Sequence, residues 1–373
     1  MTIARILIIA GSDSGGGAGI QADIKTVTML GGHAMTAVPA ITAQNTLGVQ
    51  GIHQIPTEMV LAQIDSVVND IGVDAIKIGM IGSAQTARAV AARLESINAP
   101  IVLDPVMIAS SGGVLADAET IEAMEELMGW AYVTTPNLPE LEALGGEAEL
   151  AARGEILLIK GGHAPGDTII DRLVGADGEM ARWEGSRIDT QDTHGTGCTL
   201  ASAIATGLGQ GLDLPEAITR ARQFVRLALR EAPELGNGHG PMGHGKVRLD
   251  LGEGPRLNQV TVPMSDHAAS RDFYKALGLR LIVDSADKPY ARFETPGGAT
   301  LSTYGETPAI YFECEDLDAR VTALQSAGFV FDVEPVDRDW GWREAWLVDP
   351  AGNRVCLYAA GEYRRFPPWR VGI

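Results

Sequence analysis

The sequence is poor in the features that mark secreted and membrane-spanning proteins. Its 373 residues include only three cysteines, Cys198, Cys314 and Cys356. Such an odd, widely spaced set argues against a disulfide framework and for a reducing compartment. No stretch reaches the roughly 18 uninterrupted apolar residues of a membrane-spanning helix. The N-terminal "MTIARILIIAGSD" lacks an apolar region followed by a small-residue cleavage site, so we expect no signal peptide, no membrane partner and a cytoplasmic protein.

Positive charge is also scarce. The 29 Lys and Arg residues are outnumbered by 48 Asp and Glu, which gives a net charge of −19, and no long basic run is present. A surface that attracts nucleic acid or anionic lipid needs such a run, so we expect neither partner. The length exceeds that of one typical hydrophobic core, which predicts two domains.

The first 250 residues alternate between two patterns. Short apolar runs such as "ILIIAGSD", "AIKIGMIG", "PIVLDPVM" and "EILLIKGG" are separated by stretches of helical spacing such as "TEMVLAQIDSVVNDI". This alternation predicts an α/β domain with a mostly parallel sheet flanked by helices on both faces. Ligands of such sheets bind beyond the carboxyl ends of the strands. We therefore expect a site near Asp104, Asn137 and Lys160, which follow three of the runs.

The pattern changes after a segment rich in Gly and Pro, "GNGHGPMGHGKVRLDLGEGPRLN". We predict a first domain over 1–248, a linker over 249–256 and a second domain over 257–373 that includes a C-terminal tail. The second domain shows the order strand, helix and three strands, and that order then starts again at "AIYFECED". This repeat predicts an α+β domain of paired β-α-β-β-β modules.

The segment "DTHGTGCTLASAIATGLGQGL" begins with glycines and continues as a helix. Gly195 and Gly197 let the backbone approach a ligand closely. The amides from Gly195 to Cys198 then lie at a helix N-terminus, whose partial positive charge suits a phosphate. A tight strand-to-helix turn explains the same residues without any ligand, so this segment alone does not decide the function.

Three other segments favour an anion-binding site, although each has a structural explanation. Five glycines fall between Gly11 and Gly19, which suits either a flexible turn or close packing over a small ligand. Asn137 and Glu140 stand three apart at a helix start, where they would cap the helix or hold a hard cation through oxygen ligands. Lys160 ends an apolar strand, which indicates a charge directed at an anion.

Together these segments carry a resemblance to a known family. From about Arg5 to His244 the chain resembles the bacterial hydroxymethylpyrimidine/phosphomethylpyrimidine kinases of the ribokinase-like superfamily. The segments occur in order as "AGSDSGGGAGIQADIKT", "TAQNTLGV", "DAIKIGMIG", "VLDPVM", "TPNLPE", "KGGH", "DTHGTGCTLASAIA" and "GNGHGP". The resemblance implies ATP-dependent phosphorylation of 4-amino-5-hydroxymethyl-2-methylpyrimidine and of its monophosphate in thiamine diphosphate biosynthesis. It also implies ATP and Mg²⁺ as cofactors, and a homodimer.

The resemblance further implies roles for particular residues. In the expected site, Asp23 and Gln44 hydrogen-bond the pyrimidine, while Gly11, Met80 and Val106 line its pocket. Asp104, Asn137 and Glu140 hold Mg²⁺ and its waters, Thr193 contacts the nucleotide and Lys160 neutralises phosphate charge. Gly195, Thr196, Gly197 and Cys198 form the anion hole.

Two questions stay open at this point. Related sugar kinases have an Asp where Cys198 stands, and a thiol pKa of about 8.5 is lowered at a helix N-terminus. Cys198 is then a thiolate base, an orienting group or merely a small residue that fits. The second question is the function itself, for which the alternatives are a pyridoxal or pyridoxine kinase of the same superfamily and a binding protein that senses a thiamine precursor. Gln44 in "TAQNT" and the "GTGC" form favour the pyrimidine.

The second domain resembles the vicinal-oxygen-chelate superfamily, which includes glyoxalase I and bleomycin-resistance proteins. The segments that carry it are "LNQVTVPMSDHAASRDFYKALGL", "AIYFECEDLDARVTALQSAGF" and "LVDPAGNRVCLYA". The four positions that hold a metal in that superfamily read here Gln259, Ser302 or Thr303, Ala309 and Cys356, a poor ligand set. We therefore expect no metal and a small-molecule-binding or regulatory module. Its aromatic residues line a cavity or fill the core, and these alternatives stay open.

Overall fold

The computed structural model describes residues 3–107, 118–247 and, with short gaps, 256–371. In the last stretch the described residues are 256–276, 278–285, 287, 289–295, 299–304, 308–314, 316–349, 353–360, 367, 369 and 371. Contacts between residues divide the chain into two compact units, Met1–Leu249 and Asp250–Ile373. The linker is predicted over residues 249–256. Of these residues, only Arg256 is among those that the structure describes. Within the described part, no helix is long and apolar enough to span a bilayer.

The first unit alternates strands and helices along most of its length. Its strands are β1 (Arg5–Ile9), β2 (Ser12–Asp13), β3 (His33–Ala37), β4 (Ala40–Asn45), β5 (Gly48–Gln54), β6 (Ala75–Ile78), β7 (Ile101–Leu103), β8 (Val133–Thr134), β9 (Leu157–Ile159), β10 (Thr168–Gly175) and β11 (Gly178–Ser186). Its helices are α1 (Gly19–Met29), α2 (Thr57–Asp70), α3 (Ala84–Leu94), α4 (Ala118–Met128), α5 (Leu138–Ala143), α6 (Glu147–Ala152), α7 (Thr196–Gly209) and α8 (Leu214–Arg230).

Eight of these strands form one sheet in the order β11-β10-β9-β8-β7-β6-β1-β3. All neighbours pair in parallel except β9 with β10 and β10 with β11, which are antiparallel. The apolar run of β1 is continuous because both faces of the sheet are covered. Leu7 and Ile9 belong to the core cluster on one face, and Ile6 and Ile8 belong to the cluster on the other. The predicted mostly parallel sheet flanked by helices is therefore confirmed.

Three of the strands form a small second sheet in the order β2-β4-β5. The hairpin of β4 and β5 is antiparallel, and its register shifts between Ala43 and Gln44. The sequence analysis did not predict this hairpin. It matters for function because it carries Gln44 next to the glycine-rich turn that follows β1.

The second unit confirms the predicted repeat. The first module consists of β12 (Arg256–Val262), α9 (His267–Ala276), β13 (Arg280–Ser285), β14 (Tyr290–Glu294) and β15 (Thr300–Tyr304). The second consists of β16 (Ala309–Glu313), α10 (Leu317–Ser326), β17 (Val333–Asp337), β18 (Arg343–Val348) and β19 (Arg354–Ala359). Their strands join in one eight-stranded sheet of order β13-β14-β15-β12-β16-β19-β18-β17, in which β12 and β16 pair antiparallel across the modules.

The aromatic residues of the second unit mostly pack within its core. The Trp342 ring stacks on Tyr358 with ring centroids 4.5 Å apart, and Trp346 belongs to the same buried cluster. Phe293 is fully buried against Tyr274, whereas Trp340 is exposed. Of the two alternatives left open by the sequence, core packing therefore describes most of these side chains.

The four positions compared with metal ligands lie on β12, β15, β16 and β19. The Gln259 side-chain oxygen already accepts a hydrogen bond from Thr300 Oγ1 at 3.1 Å. No group of three or more His, Cys, Asp or Glu side chains that could hold a metal ion is found among the described residues of either unit. The metal-free character of this unit stays a prediction that needs a binding measurement.

Candidate functional site

Five of the predicted site residues follow neighbouring strands of the large sheet at one edge. Gly11 comes after β1, Met80 after β6, Asp104 directly after β7, Asn137 after β8 and Lys160 directly after β9. Because β1, β6, β7, β8 and β9 are parallel, their carboxyl ends lie at the same edge, which is where ligands bind in such sheets. Residues that follow separate apolar runs in the sequence thus lie together at one edge of the sheet.

A cavity of about 790 Å³ lies at this edge. All of the predicted site residues except Asp23 line it: Gly11, Gln44, Met80, Asp104, Val106, Asn137, Glu140, Lys160, Thr193, Gly195, Thr196, Gly197 and Cys198. Its size is in the range of small-molecule sites in proteins. One cavity therefore brings together residues from five strand-to-helix connections, from the β9–β10 connection and from β4.

The start of α7 forms one wall of the cavity. Gly195 caps this helix with φ +85°, a left-handed conformation that favours glycine, and a Cβ there would lie 2.0 Å from the Gly17 carbonyl oxygen. The Thr196 N–H donates a hydrogen bond to the Thr193 carbonyl at 3.3 Å. Gly197 and Cys198 follow in the first turn, where amides have no acceptor within the helix. Their N–H groups, together with the partial positive charge of the helix end, suit an oxyanion.

Lys160 is one of the cationic residues that line the cavity. Its Nζ lies 2.8 Å from Asp104 Oδ1 and 3.7 Å from Glu140 Oε2, and its side chain is mostly buried. Burial acts to lower the pKa of Lys160, but the Asp104 and Glu140 carboxylates outweigh it and hold the pKa above its ordinary value. Burial raises the pKa of Glu140, with Lys160 opposing this shift. A Cβ on Gly197 would lie 3.3 Å from Lys160 Nζ, so the ammonium stands beside the first turn of α7.

Asn137 and Glu140 form a reciprocal cap on α5. The Glu140 N–H donates to Asn137 Oδ1 at 2.9 Å, and the Asn137 N–H donates to Glu140 Oε2 at 2.8 Å. Of the two roles that the sequence left open, helix capping therefore applies to the side-chain oxygen of Asn137. Asp104 and Glu140 still offer carboxylate oxygens to the cavity. Two carboxylates fit Mg²⁺, which usually keeps several waters and binds nucleotide phosphates as well.

Asp23 does not reach the cavity, which corrects its expected role in pyrimidine binding. It is fully buried, and its two carboxylate oxygens lie 3.0 and 2.9 Å from Lys77 Nζ on β6. Ser202 Oγ on α7 donates to the same carboxylate at 2.7 Å. Because this carboxylate is fully buried and is not among the residues that line the cavity, it does not face a ligand there. Asp23 instead joins α1, β6 and α7.

Cys198 also differs from the expectation. The helix N-terminus was expected to lower its pKa, but burial raises the pKa of this thiol to about 11. The Lys77 ammonium opposes the shift, and the Asp23 and Asp104 carboxylates reinforce it. The side chain is partly exposed toward the cavity. Burial thus favours the protonated thiol, which is a weak hydrogen-bond donor, over the thiolate.

His194 and Asp13 also line the cavity, although neither was predicted from the sequence. His194 Nε2 lies 3.1 Å from Asp13 Oδ2 and 3.1 Å from the Gln44 side-chain nitrogen. Burial acts to raise the pKa of Asp13, but hydrogen bonds from His194 and from backbone amides hold it below its ordinary value. A histidine directly before the glycine loop and an acid within the first glycine-rich turn were the available signals.

The cavity also has an apolar part that the sequence did not reveal. Its members come from the β10–β11 edge and from α7 and α8: Ile169, Ile188, Leu200, Val225 and Leu229. These residues are scattered over 61 positions of the sequence and share no motif. Such a surface suits the flat face of a heterocycle.

Comparisons with known proteins agree with the two-unit organisation. Residues 13–243 match the model of a family described as phosphomethylpyrimidine kinase. Residues 256–357 match the model of the glyoxalase/bleomycin resistance protein/dioxygenase superfamily.

Curated relatives match the first unit. The chain is 48% identical over 257 residues to the thiamine biosynthesis bifunctional protein ThiED of Geobacter sulfurreducens, a match that covers 64% of this chain and 52% of that protein. It thus spans about half the length of that bifunctional relative. It is 45% identical over 255 residues to the hydroxymethylpyrimidine/phosphomethylpyrimidine kinase of Streptomyces coelicolor, which covers 64% of this chain and 94% of the relative.

Solved structures match the same part of the chain. The ADP complex of Bacillus subtilis pyridoxal kinase aligns with a TM-score of 0.60 and 32% identity, over 65% of this chain and 98% of that structure. Phosphomethylpyrimidine kinase from Clostridium difficile aligns with a TM-score of 0.52 and 35% identity, over 60% of this chain and 98% of that structure. Both activities named by these structures phosphorylate a six-membered nitrogen heterocycle.

Proposed function

The chain belongs to the phosphomethylpyrimidine kinase family, and from this we propose that it transfers the terminal phosphoryl group of ATP to 4-amino-5-hydroxymethyl-2-methylpyrimidine and then to the resulting monophosphate. The product is the pyrimidine diphosphate used for thiamine diphosphate. One observation carries the proposal: the first-turn amides of α7, the Lys160 ammonium and the Cys198 thiol line one cavity with Gln44.

The chemistry needs little more than this arrangement. Phosphoryl transfer passes through a loose transition state, in which positioning and charge neutralisation supply most of the catalysis. The Gly197 and Cys198 amides donate to the oxygens of the transferring group. Lys160 offsets its negative charge, and Asp104 holds the ammonium in place at 2.8 Å. The acceptor oxygen loses its proton late, so a strong base is not required.

The acceptor side is formed by Gly11, Gln44, Met80 and Val106. A Cβ on Gly11 would lie 2.3 Å from Met80 Cε, so a larger residue at this position would require the end of the methionine side chain to move. The Gln44 amide supplies one donor and one acceptor to the ring. The glycine-rich turn before α1 leaves space for either a hydroxymethyl group or a phosphate as acceptor.

The nucleotide side is formed by Thr193, Lys160 and the carboxylates. Asp104 and Glu140 would hold Mg²⁺, which when bound neutralises phosphate charge, and Asn137 would orient Glu140 through the α5 cap. The apolar group with Ile169, Ile188 and Val225 offers packing for adenine. Two features of the cavity support a nucleotide: carboxylates and an ammonium at one side, and an apolar wall for a base.

A steady-state comparison of acceptors tests the proposal. We expect ADP release with ATP, Mg²⁺ and the hydroxymethylpyrimidine, with kcat/KM well above that for pyridoxal. Lys160→Met should lower kcat by at least about 100-fold, or about 2.7 kcal/mol, because transition-state charge is left uncompensated. The matched control Lys275→Met removes an exposed lysine of the second unit and should leave turnover unchanged. No turnover of the hydroxymethylpyrimidine contradicts the proposal.

Pyridoxal kinase activity is the second candidate, favoured by the structural match to the Bacillus subtilis pyridoxal kinase. Both acceptors carry a hydroxymethyl group on a nitrogen heterocycle. The same comparison of kcat/KM decides between them, because a preference for pyridoxal reverses the assignment.

We further propose that the second unit is a metal-free module that binds a small molecule or regulates the first. The poor ligand set at Gln259, Ala309 and Cys356 supports this. Calorimetry of the full chain with Zn²⁺, Mn²⁺ and Ni²⁺, without nucleotide, should show no tight stoichiometric site. Tight binding that persists in a variant with the first unit's carboxylates changed, Asp104→Asn with Glu140→Gln, overturns the metal-free assignment.

A homodimer and a cytoplasmic location complete the proposal. The family resemblance supports the first, and the three free cysteines support the second. Sedimentation of the full chain tests the dimer, and a monomer at micromolar concentration contradicts it.

A further inference from the structure

We propose that His194 is a positioning residue that fixes which end of the Gln44 amide donates and which accepts, and so sets the selectivity for the acceptor ring. This inference rests on the proposed function, because it concerns recognition of the pyrimidine at the same site.

His194 joins the two loops that close the acceptor side. It directly precedes Gly195 of the anion hole, and its ring packs against the glycine-rich turn, where a Cβ on Gly17 would lie 2.5 Å from His194 Cδ2. The side chain is only 6% exposed. Its backbone N–H donates to the Gly240 carbonyl at 3.2 Å. The ring is thus buried against the glycine-rich turn, and its backbone is anchored at Gly240.

Asp13 determines where the imidazole proton lies. The Asp13 carboxylate accepts hydrogen bonds from the amides of Gly15, Gly17 and Ala18 at 2.8 to 2.9 Å. These contacts stabilise the ionised form, which only accepts hydrogen bonds. Since Nε2 of His194 lies 3.1 Å from Asp13 Oδ2, Nε2 must carry a proton and donate it. A second proton on Nδ1 would be buried without an acceptor among the described residues.

The protonated Nε2 in turn decides the orientation of Gln44. The Gln44 amide is placed with its nitrogen 3.1 Å from His194 Nε2, but an N–H that points to Asp13 has no lone pair to accept from it. We therefore infer that the amide is turned by half a turn, so that its carbonyl oxygen faces His194. The other end of the amide lies 3.1 Å from Thr42 Oγ1. As placed, Thr42 Oγ1 would donate both to the Ser12 carbonyl at 3.0 Å and to the Gln44 oxygen, but it has one hydroxyl proton. In the turned amide Thr42 donates to Ser12 and accepts from the Gln44 NH₂. The two ends of an amide have the same shape, and only this assignment gives every donor an acceptor.

Gln44 then presents one free N–H and one carbonyl lone pair in a fixed order. A 4-aminopyrimidine offers the matching pair, a ring nitrogen that accepts next to an exocyclic amine that donates. Pyridoxal has no exocyclic amine on its ring. Without His194 the amide can rotate by half a turn, and the order of donor and acceptor is lost. A site that hydrogen-bonds a substrate group discriminates strongly against an analogue that lacks it.

The test compares His194→Phe, which keeps a flat ring but has no nitrogen, with wild type. We expect KM for the hydroxymethylpyrimidine to rise about tenfold or more while kcat falls less, and KM for ATP to change by less than about twofold. The ratio of kcat/KM between the hydroxymethylpyrimidine and pyridoxal should fall at least about tenfold. Thr42→Val removes the partner at the other end of Gln44 and should lower the same ratio by about threefold. The matched control Thr57→Val, a threonine in α2 outside the cavity, should leave the ratio unchanged.

Each result is decisive. A wild-type enzyme without activity on the hydroxymethylpyrimidine overturns the proposed function itself. An active wild type with unchanged KM and unchanged selectivity in His194→Phe overturns only the role of His194, even if the variant is less stable. If His194→Phe does not fold, Thr42→Val decides, and an unchanged ratio there contradicts the fixed orientation of Gln44.

Discussion

Cys198 shows how the surroundings of a single residue change its chemistry. A thiol at a helix N-terminus is expected to ionise readily. In the fold this thiol is desolvated, and that effect outweighs the nearby Lys77 ammonium. Of the three interpretations that the sequence left open, the thiolate base loses its physical support. The thiol remains suited to orienting the acceptor hydroxyl or to filling the space.

Cys198→Ala tests this conclusion. We expect kcat to fall by less than 100-fold, or less than about 2.7 kcal/mol, because no proton acceptor is removed. We also expect no limb near pH 8.5 in the pH profile of kcat/KM, since a pKa of about 11 keeps the thiol protonated through this range. Iodoacetamide should modify Cys198 slowly at pH 7.5. A loss well over 100-fold together with a limb near pH 8.5 would restore the thiolate base.

Part of the cavity could be predicted because strand ends and glycine loops carry local signals. Asp104, Asn137 and Lys160 end apolar runs, and parallel pairing brings such ends to one edge. Asp23 could not be placed this way, because its partner Lys77 is 54 positions away and belongs to another run. The link between His194 and Asp13 joins positions 181 apart and was invisible for the same reason.

At the level of elements, a buried ion pair fixes α7 against the sheet. Lys77 and Asp23 are both fully buried, and Ser202, one turn after Cys198, donates to Asp23. Burial acts to lower the pKa of Lys77, but the Asp23 carboxylate outweighs it and keeps the ammonium charged. The pair thus stabilises the junction of β6, α1 and α7 beneath the anion hole.

Removal of one partner should strongly destabilise this junction. We expect Lys77→Met to lower the free energy of unfolding by about 3–5 kcal/mol, because an unpaired carboxylate is left buried. The double variant Lys77→Met with Asp23→Leu should be less destabilised than either single variant. Urea unfolding of the three variants measures both effects. Equal and additive losses would show that the two side chains do not interact.

His244 provides a pH-dependent contact to the same helix. The Thr199 hydroxyl and His244 Nε2 are 2.8 Å apart, and burial lowers the pKa of His244 to about 4 from 6.5. In the unfolded chain His244 takes up a proton near pH 6.5, whereas in the folded chain it stays neutral until the pH approaches 4. The stability is therefore fully present above pH 6.5 and is lost as the pH falls toward 4.

We expect this loss to reach about 3 kcal/mol between pH 6.5 and 4. The difference in unfolding free energy between wild type and His244→Gln isolates it, because the other titrating groups cancel. The exposed His33→Gln serves as the control and should follow the wild-type curve. A His244→Gln curve parallel to wild type would contradict the buried neutral histidine.

The elements themselves were largely predictable from periodicity. Five parallel strands, β1 and β6 to β9, and the ten described elements of the second unit match their apolar runs and helical spacing, whereas the parallel strand β3 was not predicted. The β4–β5 hairpin was not predicted, because "AITAQN" and "GVQGIHQ" contain few apolar residues and form an exposed sheet. Its position over the site depends on contacts with β2 and on no feature of its own sequence.

At the scale of the whole molecule, each unit has its own sheet and its own buried clusters. Units with separate cores are able to unfold separately. Substitution in one core should therefore leave the chemistry of the other unchanged.

Trp342→Ala tests this independence. Trp342 is 3% exposed and stacked on Tyr358, so we expect a loss of about 3–5 kcal/mol in the unfolding of the second unit. The kinase turnover measured on the full chain should stay within about twofold of wild type. Calorimetric scans with and without ATP assign the transitions, because the nucleotide raises only that of the first unit. A parallel fall in turnover would show that the second core supports the first active site.

The most direct test of the account is the identity of the product. The full chain is incubated with Mg²⁺-ATP and the hydroxymethylpyrimidine, and the products are followed by mass spectrometry. We predict a monophosphate that appears first and a diphosphate that follows from it, with Lys160→Met forming neither at a comparable rate. Absence of both phosphates, or phosphorylation of pyridoxal in preference to the pyrimidine in the same mixture, would contradict the account.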